Sequence, residues 1–243
     1  YGGNTYNDDV TFRNSGTGYF MPTNNNASDH NGDVTYVKTS TGLIYPTYSA
    51  TSTYAGDINI SANTTINFGA NSGRVEMDGT APQSINDVSS SPEPNFRRLR
   101  TNNAVSEITL NIPINVQTEL DLVAGNVVSN ATNFITMRDN ALVANVSDNA
   151  FVDGPLQKRG NDQFEFPVGK SGTYRPIQIS APSSSSAQFM AEFFPTDPHL
   201  SGWNHSLKDP TLDHISNCEY WILDRTNTTN AVNVRLYYDA YGT

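Results

Sequence analysis

The chain has 243 residues, 16% of them charged, with a formal net charge of −10 and a pI near 4.7. That balance argues against nucleic acid as a partner, because phosphate binding requires clustered lysine and arginine. No apolar run approaches the roughly 18 residues of a membrane-spanning helix, so membrane insertion is not expected. The 17 Gly, the 13 Pro and an abundance of Thr, Asn and Ser point to an all-β, extracellular class. Cys218 is the only cysteine, which leaves no partner for an intrachain disulfide. In the run Cys218-Glu219-Tyr220-Trp221-Ile222-Leu223 it reads as a buried small hydrophobe. Tyr1 is not an initiator methionine, so the chain is expected to be processed or part of something longer.

The first quarter of the chain repeats itself. Asp9-Val10-Thr11-Phe12 returns as Asp33-Val34-Thr35-Tyr36 and as Asp57-Ile58-Asn59-Ile60, a constant spacing of 24 residues. Thr17, Thr41 and Thr65 keep that phase, as do Phe20, Ile44 and Phe68. A period in this range marks a stacked architecture in which each repeat is one coil. Within each copy the apolar residues alternate, the period of a strand with one buried face. The expectation is a parallel β-solenoid, most often a right-handed β-helix.

From about 75 to 158 the strict period decays while short alternating runs persist: Val75-Glu76-Met77, Ile108-Thr109-Leu110, Leu120-Asp121-Leu122, Ile135-Thr136-Met137. Glu119-Leu120-Asp121-Leu122 and Phe134-Ile135-Thr136-Met137 echo each other and read as further, less regular coils. Arg97, Arg98 and Arg100 form the one basic cluster, expected to find partners on neighbouring coils. Around Lys158 to Asp162 the texture changes to longer strands, the last two expected at Tyr220 to Arg225 and Ala231 to Tyr238, separated by larger loops. Two units follow: residues 1–158 as the β-helix, and 160–243 as an antiparallel β-sandwich, Ig-like and incomplete at Thr243.

Phe166-Pro167-Val168-Gly169-Lys170, Tyr174-Arg175-Pro176 and Tyr220-Trp221-Ile222-Leu223-Asp224-Arg225-Thr226 resemble a module of large secreted and surface proteins of Bacteroidota. In that group the module follows β-solenoid repeats, entered by a phrase similar to Phe151-Val152-Asp153-Gly154-Pro155-Leu156-Gln157-Lys158. The resemblance implies export by type IX secretion and display at the cell surface, with adhesion or scaffolding as the role. The C-terminal sorting domain of such proteins is not in this sequence.

Two groups of residues invite metal chemistry. Asp9, Asp33 and Asp57 would form a carboxylate ladder able to hold Ca²⁺. An Asx turn opening each strand explains them more simply, since no glycine-rich nonapeptide surrounds them. Asp197, His199, His205, Asp213 and His214, with Asp209, concentrate metal-ligating types in one stretch. Their spacing matches no compact motif, and a polar loop accounts for them. The threonines at 17, 41 and 65 would suit an ice-binding face, but threonine is common in strands anyway. The functional expectation is a non-enzymatic adhesin or structural stalk without a cofactor. Its partners would be glycans, other cell-surface polymers, or further copies of itself in a filament. The rival is a polysaccharide lyase or hydrolase, which needs acids and bases clustered on one outer face of successive coils.

Overall fold

The structure, a computed structural model, describes residues 2–227 and 229–237. The chain winds as a parallel β-solenoid of about six turns, and each coil visits three faces. On the first face Thr5–Tyr6, Asp29–His30, Thr51–Tyr54 and Arg74–Met77 stack in parallel. On the second, Val10–Asn14, Val34–Lys38, Ile58–Ala62, Gln83–Asp87 and Ile108–Asn111 do the same. On the third, Tyr19–Phe20 pairs with Leu43–Ile44, and Asn67–Phe68 with the start of Asn95–Asn102. Asp9 stands one 24-residue step below Asp33, whereas the step from Asp57 to Ser84 takes 27 residues and that from Asn86 to Asn111 takes 25. The sequence repeat is therefore the coil length while it lasts, and the fold tolerates insertions at its corners once the repeat ends.

Alternation dictates which side chains point inward. Val34, Tyr36, Ile58 and Ile60 are fully buried, while Thr35 and Asn59 between them keep partial exposure. Because equivalent residues lie directly above one another, aromatic residues in phase become stacks. Tyr6, His30 and Tyr54 stack with ring centroids 5.0 and 4.6 Å apart, and Phe68 lies on Phe96 at 4.5 Å. Pairs of this kind contribute about 0.5–1.5 kcal/mol each beyond the area they bury. The threonines at 17, 41 and 65 sit in the turns ahead of the third-face strands and form no flat strand surface.

The irregular middle follows from two long strands. Asn95–Asn102 and Ile114–Ala124 bend from the third face onto the first, and the first of these pairs with the second through register shifts after Phe96 and Thr101. Ile114 to Val116 pairs with Ile135–Met137, whereas Glu119 to Asp121 pairs with Leu142–Ala144. The echo between the segments beginning at Glu119 and Phe134 is thus not a coil, since its two members lie on different faces.

After Arg159 the strands turn antiparallel but grow from the solenoid's own sheet. Gln188–Phe194 pairs with Leu156–Arg159, and Tyr220–Arg225 pairs with Gln188–Phe194. Phe164–Phe166, Ile177–Ile179 and Val234–Leu236 form a separate three-stranded antiparallel sheet. One hydrophobic core runs from Phe12 to Phe193, continuous through the expected boundary near 160. The last expected strand runs to Tyr238, which with 239–243 lies outside the described residues.

The phrases that carry the resemblance act as joints. Lys170 Nζ lies 2.9 Å from Asp153, the Trp221 indole N–H donates to the Arg175 carbonyl at 2.9 Å, and the Tyr174 hydroxyl donates to Glu165. A Cβ at Gly169 would fall 2.4 Å from the Thr173 carbonyl oxygen and 2.8 Å from the Phe151 ring, so only glycine fits there. Cys218 is exposed rather than buried, because it precedes the strand and the alternation does not reach it.

Candidate functional site on the outer faces of the solenoid

The Asp9, Asp33 and Asp57 carboxylates do form a ladder, joined through backbone donors of successive coils. Asp33 N–H donates to Asp9 Oδ1 at 2.9 Å, Asp57 N–H to Asp33 Oδ1 at 2.8 Å, and Ser84 N–H to Asp57 Oδ1 at 2.7 Å. Each carboxylate therefore caps the strand start of the next coil, not of its own. At the first two rungs glycine precedes the donor and leaves room for the carboxylate: a Cβ at Gly56 would lie 2.7 Å from Asp33 Oδ1, and one at Gly32 would lie 2.8 Å from Asp9 Oδ1.

The loop candidates separate into pairs. Asp197 Oδ1 accepts from His199 N–H, capping the short 3₁₀ helix Pro198–Ser201, and lies 2.8 Å from His205 Nε2. His199 Nδ1 faces the Trp203 carbonyl at 3.1 Å. Asp213 and His214 pair with each other at 2.9 Å in solvent, and Asp209 closes a turn by accepting from Thr211. Among the described residues no three His, Cys, Asp or Glu side chains converge as metal ligands.

The densest ionic chemistry lies on the first face. Register places Arg74, Arg98 and Glu119 in one outward column and Glu76, Arg100 and Asp121 in the next. Arg74 reaches Glu119 at 2.8 Å and Asp121 at 3.9 Å; Arg100 reaches Asp121 at 2.7 Å and Glu76 at 3.5 Å. Asn145 donates to Asp121 at 2.7 Å, and Asn102 to Glu76 at 2.9 Å. Burial opposes the charge on Asp121, but the hydrogen bonds from Asn145 and Arg100 outweigh it and hold the carboxyl below its usual range. The same bond holds the Arg100 guanidinium above its own. Arg98 donates to the Ser72 carbonyl, and burial followed by its arginine neighbour Arg74 lowers its pKa. The sequence reading singled out the arginines and missed the acids. The available signal was the alternate-position pairs Arg74 with Glu76, Arg98 with Arg100, and Glu119 with Asp121.

The second face carries a polar column: Thr11, Thr35, Asn59, Asn86 and Asn111 stand in register on five successive coils. Asn86 Nδ2 donates to Asn59 Oδ1 at 2.9 Å and Asn111 Nδ2 to Asn86 Oδ1 at 2.8 Å, so the amides form a chain along the axis. Neighbouring strands are about 4.8 Å apart, and that spacing sets the repeat of the column.

The fold defines the class: a parallel β-solenoid closed at its C-terminal end by antiparallel strands. No family model matches the chain, and neither a curated protein nor a solved structure does.

Proposed function

We propose that this chain is a non-enzymatic extracellular segment, an adhesin or structural stalk, that presents its outer polar columns to glycans, other surface polymers or neighbouring subunits. The observation that carries the reading is the column from Thr11 to Asn111, whose amides are already aligned by their own hydrogen bonds. A row of hydroxyl and amide groups at the strand repeat suits a repetitive, uncharged polymer, which can match it at several points at once. The resemblance of the Phe166 to Lys170 and Tyr220 to Thr226 phrases to Bacteroidota surface proteins supports export by type IX secretion and display outside the cell. The end of a parallel solenoid presents unpaired strand edges that another domain or a second copy can cover, and stacking of copies would make a filament. Negative-stain images of the purified chain showing compact monomers alone would count against the filament.

The second reading is a polysaccharide lyase or hydrolase, favoured by the Arg74, Arg100, Glu76, Glu119 and Asp121 network on one face of successive coils. Incubation with a panel of neutral and anionic polysaccharides separates the two. Retention without chain shortening supports the adhesin; depolymerisation that disappears in Asp121→Asn supports the enzyme.

A further inference from the structure

Tyr220–Arg225 is the last described strand of the sheet begun by the solenoid. It pairs with Gln188–Phe194 on one side and, among the described residues, with no strand on the other. Thr226 N–H donates to the Gln188 carbonyl at 3.0 Å, which fixes the phase of the antiparallel ladder. Backbone groups of Tyr220, Ile222 and Asp224 face the paired strand, so those of Trp221, Leu223 and Arg225 face the open side.

A slot of about 630 Å³ follows this edge. Its lining includes the five consecutive residues from Tyr220 to Asp224, odd and even alike, so it runs along the strand's edge instead of over one face. Pro198, Trp203, Leu207 and Ile215 make the opposite wall. A second recess of about 490 Å³ opens beside Trp221 and Leu223, bounded by Ile177, Val234 and Leu236 of the other sheet. Trp203 and Leu207 are 59% and 81% exposed, an apolar surface in search of cover. Asp224 is the one charged side chain in the lining of the slot.

We propose that this edge binds an extended polypeptide segment, with apolar residues at alternate positions and a basic residue opposite Asp224, as a further strand beside Tyr220–Arg225. An added strand satisfies the outward N–H and C=O groups of Trp221, Leu223 and Arg225, and its alternate side chains enter the two recesses. A sugar ring stacks on Trp203 but leaves that backbone ladder unmet.

Both tryptophans of the chain, Trp203 and Trp221, line the slot, and Trp221 also borders the second recess, so tryptophan emission of the full chain, excited beyond the tyrosine band, reports on this edge. The probe is a heptapeptide alternating valine and threonine between terminal lysines, with two versions N-methylated on either alternate set of residues. The expected result is a saturable change in tryptophan emission with the plain peptide. One methylated version should bind at least tenfold more weakly, and Asp224→Lys should weaken the plain peptide at least tenfold. The proposal is overturned by no change up to millimolar peptide or by equal binding of both methylated versions. Saturable binding of neutral oligosaccharides in its place, or peptide-free dimers formed through this edge in sedimentation, would overturn it as well.

Discussion

Asp33 ties three coils together: its N–H is held by Asp9, and its carboxylate holds the N–H of Asp57. Hydrogen bonds to a charged acceptor are worth about 1.5–3 kcal/mol, less where water competes. Asp33→Ala should therefore cost about 1–2 kcal/mol, read as a Tm lowered by roughly 3–6 °C in thermal melts. Millimolar Ca²⁺ should leave the wild-type Tm unchanged, since one oxygen of each ladder carboxylate is already committed to a backbone donor; a rise of several degrees would support the calcium reading. His30 gives a second handle. Its Nδ1 lies 3.0 Å from the Thr53 carbonyl, so that nitrogen carries the proton, while Nε2 is buried without a partner between the Tyr6 and Tyr54 rings. Burial lowers its pKa against the opposing pull of the Thr53 carbonyl and Asp29. The unfolded chain takes up a proton as pH falls through about 6.5, and the folded chain does so only at lower pH. Acidification across that window removes stability, by at most about 1.4 kcal/mol per pH unit for one proton. Asp78 acts in the opposite direction, because burial, then Glu76 and Asp29, raise its carboxyl pKa. The His30 contribution is therefore the difference between wild type and His30→Phe: the wild type should lose more Tm than the variant between pH 7 and pH 5. Parallel losses in the two proteins would remove His30 as the cause.

At the scale of strands, the first-face network is where neighbouring coils are joined by charge. Asp121 is nearly enclosed, with 3% of its side chain exposed, and it serves both Arg74 and Arg100. Removing it leaves two guanidiniums without their shared acceptor, so Asp121→Ala should cost about 2–4 kcal/mol in urea unfolding, and Asp121→Asn less. A change below about 0.5 kcal/mol would mean that the pairs behave as exposed surface ion pairs. This network also shows what the sequence makes legible. The strands at Val10, Val34 and Ile58 were readable because alternation and a fixed coil length agree. The acids at Glu76, Glu119 and Asp121 were not, because on the first face the coil length already departs from 24 at Arg74–Met77, 23 residues after Thr51–Tyr54, and falls to 21 between Arg98 and Glu119, so only the register reveals which residues are stacked. The ladder at Asp9, Asp33 and Asp57 was visible as a repeat, yet its partner lies on the next coil, a relation that reasoning within one turn does not reach. Tyr220–Arg225 was expected as an antiparallel strand, but its place at the edge of the solenoid's own sheet depended on pairing across the 195–219 loop.

At the scale of the whole molecule, the coils of the solenoid support one another mainly through nearest neighbours. The core beneath Val34 to Phe193 is continuous, whereas the first coil has a neighbour on one side only among the described residues. Amide hydrogen exchange should follow that gradient. Val10–Asn14 should exchange faster than Ile58–Ala62 by at least tenfold in mass-resolved peptides, and uniform protection would indicate that another surface covers the first coil. Filament formation would raise protection in Val10–Asn14 as concentration increases. The most direct test of the central claim, a polar solenoid surface that binds and does not cleave, is retention of the purified chain on immobilised polysaccharides with the chain length of the eluted polymer measured alongside. The account predicts saturable retention on at least one neutral polymer, weakened at least tenfold by the Asn59→Ala, Asn86→Ala, Asn111→Ala triple variant, with polymer length unchanged. Shortened polymer whose appearance is abolished by Asp121→Asn, or retention indifferent to the three asparagines, would contradict it.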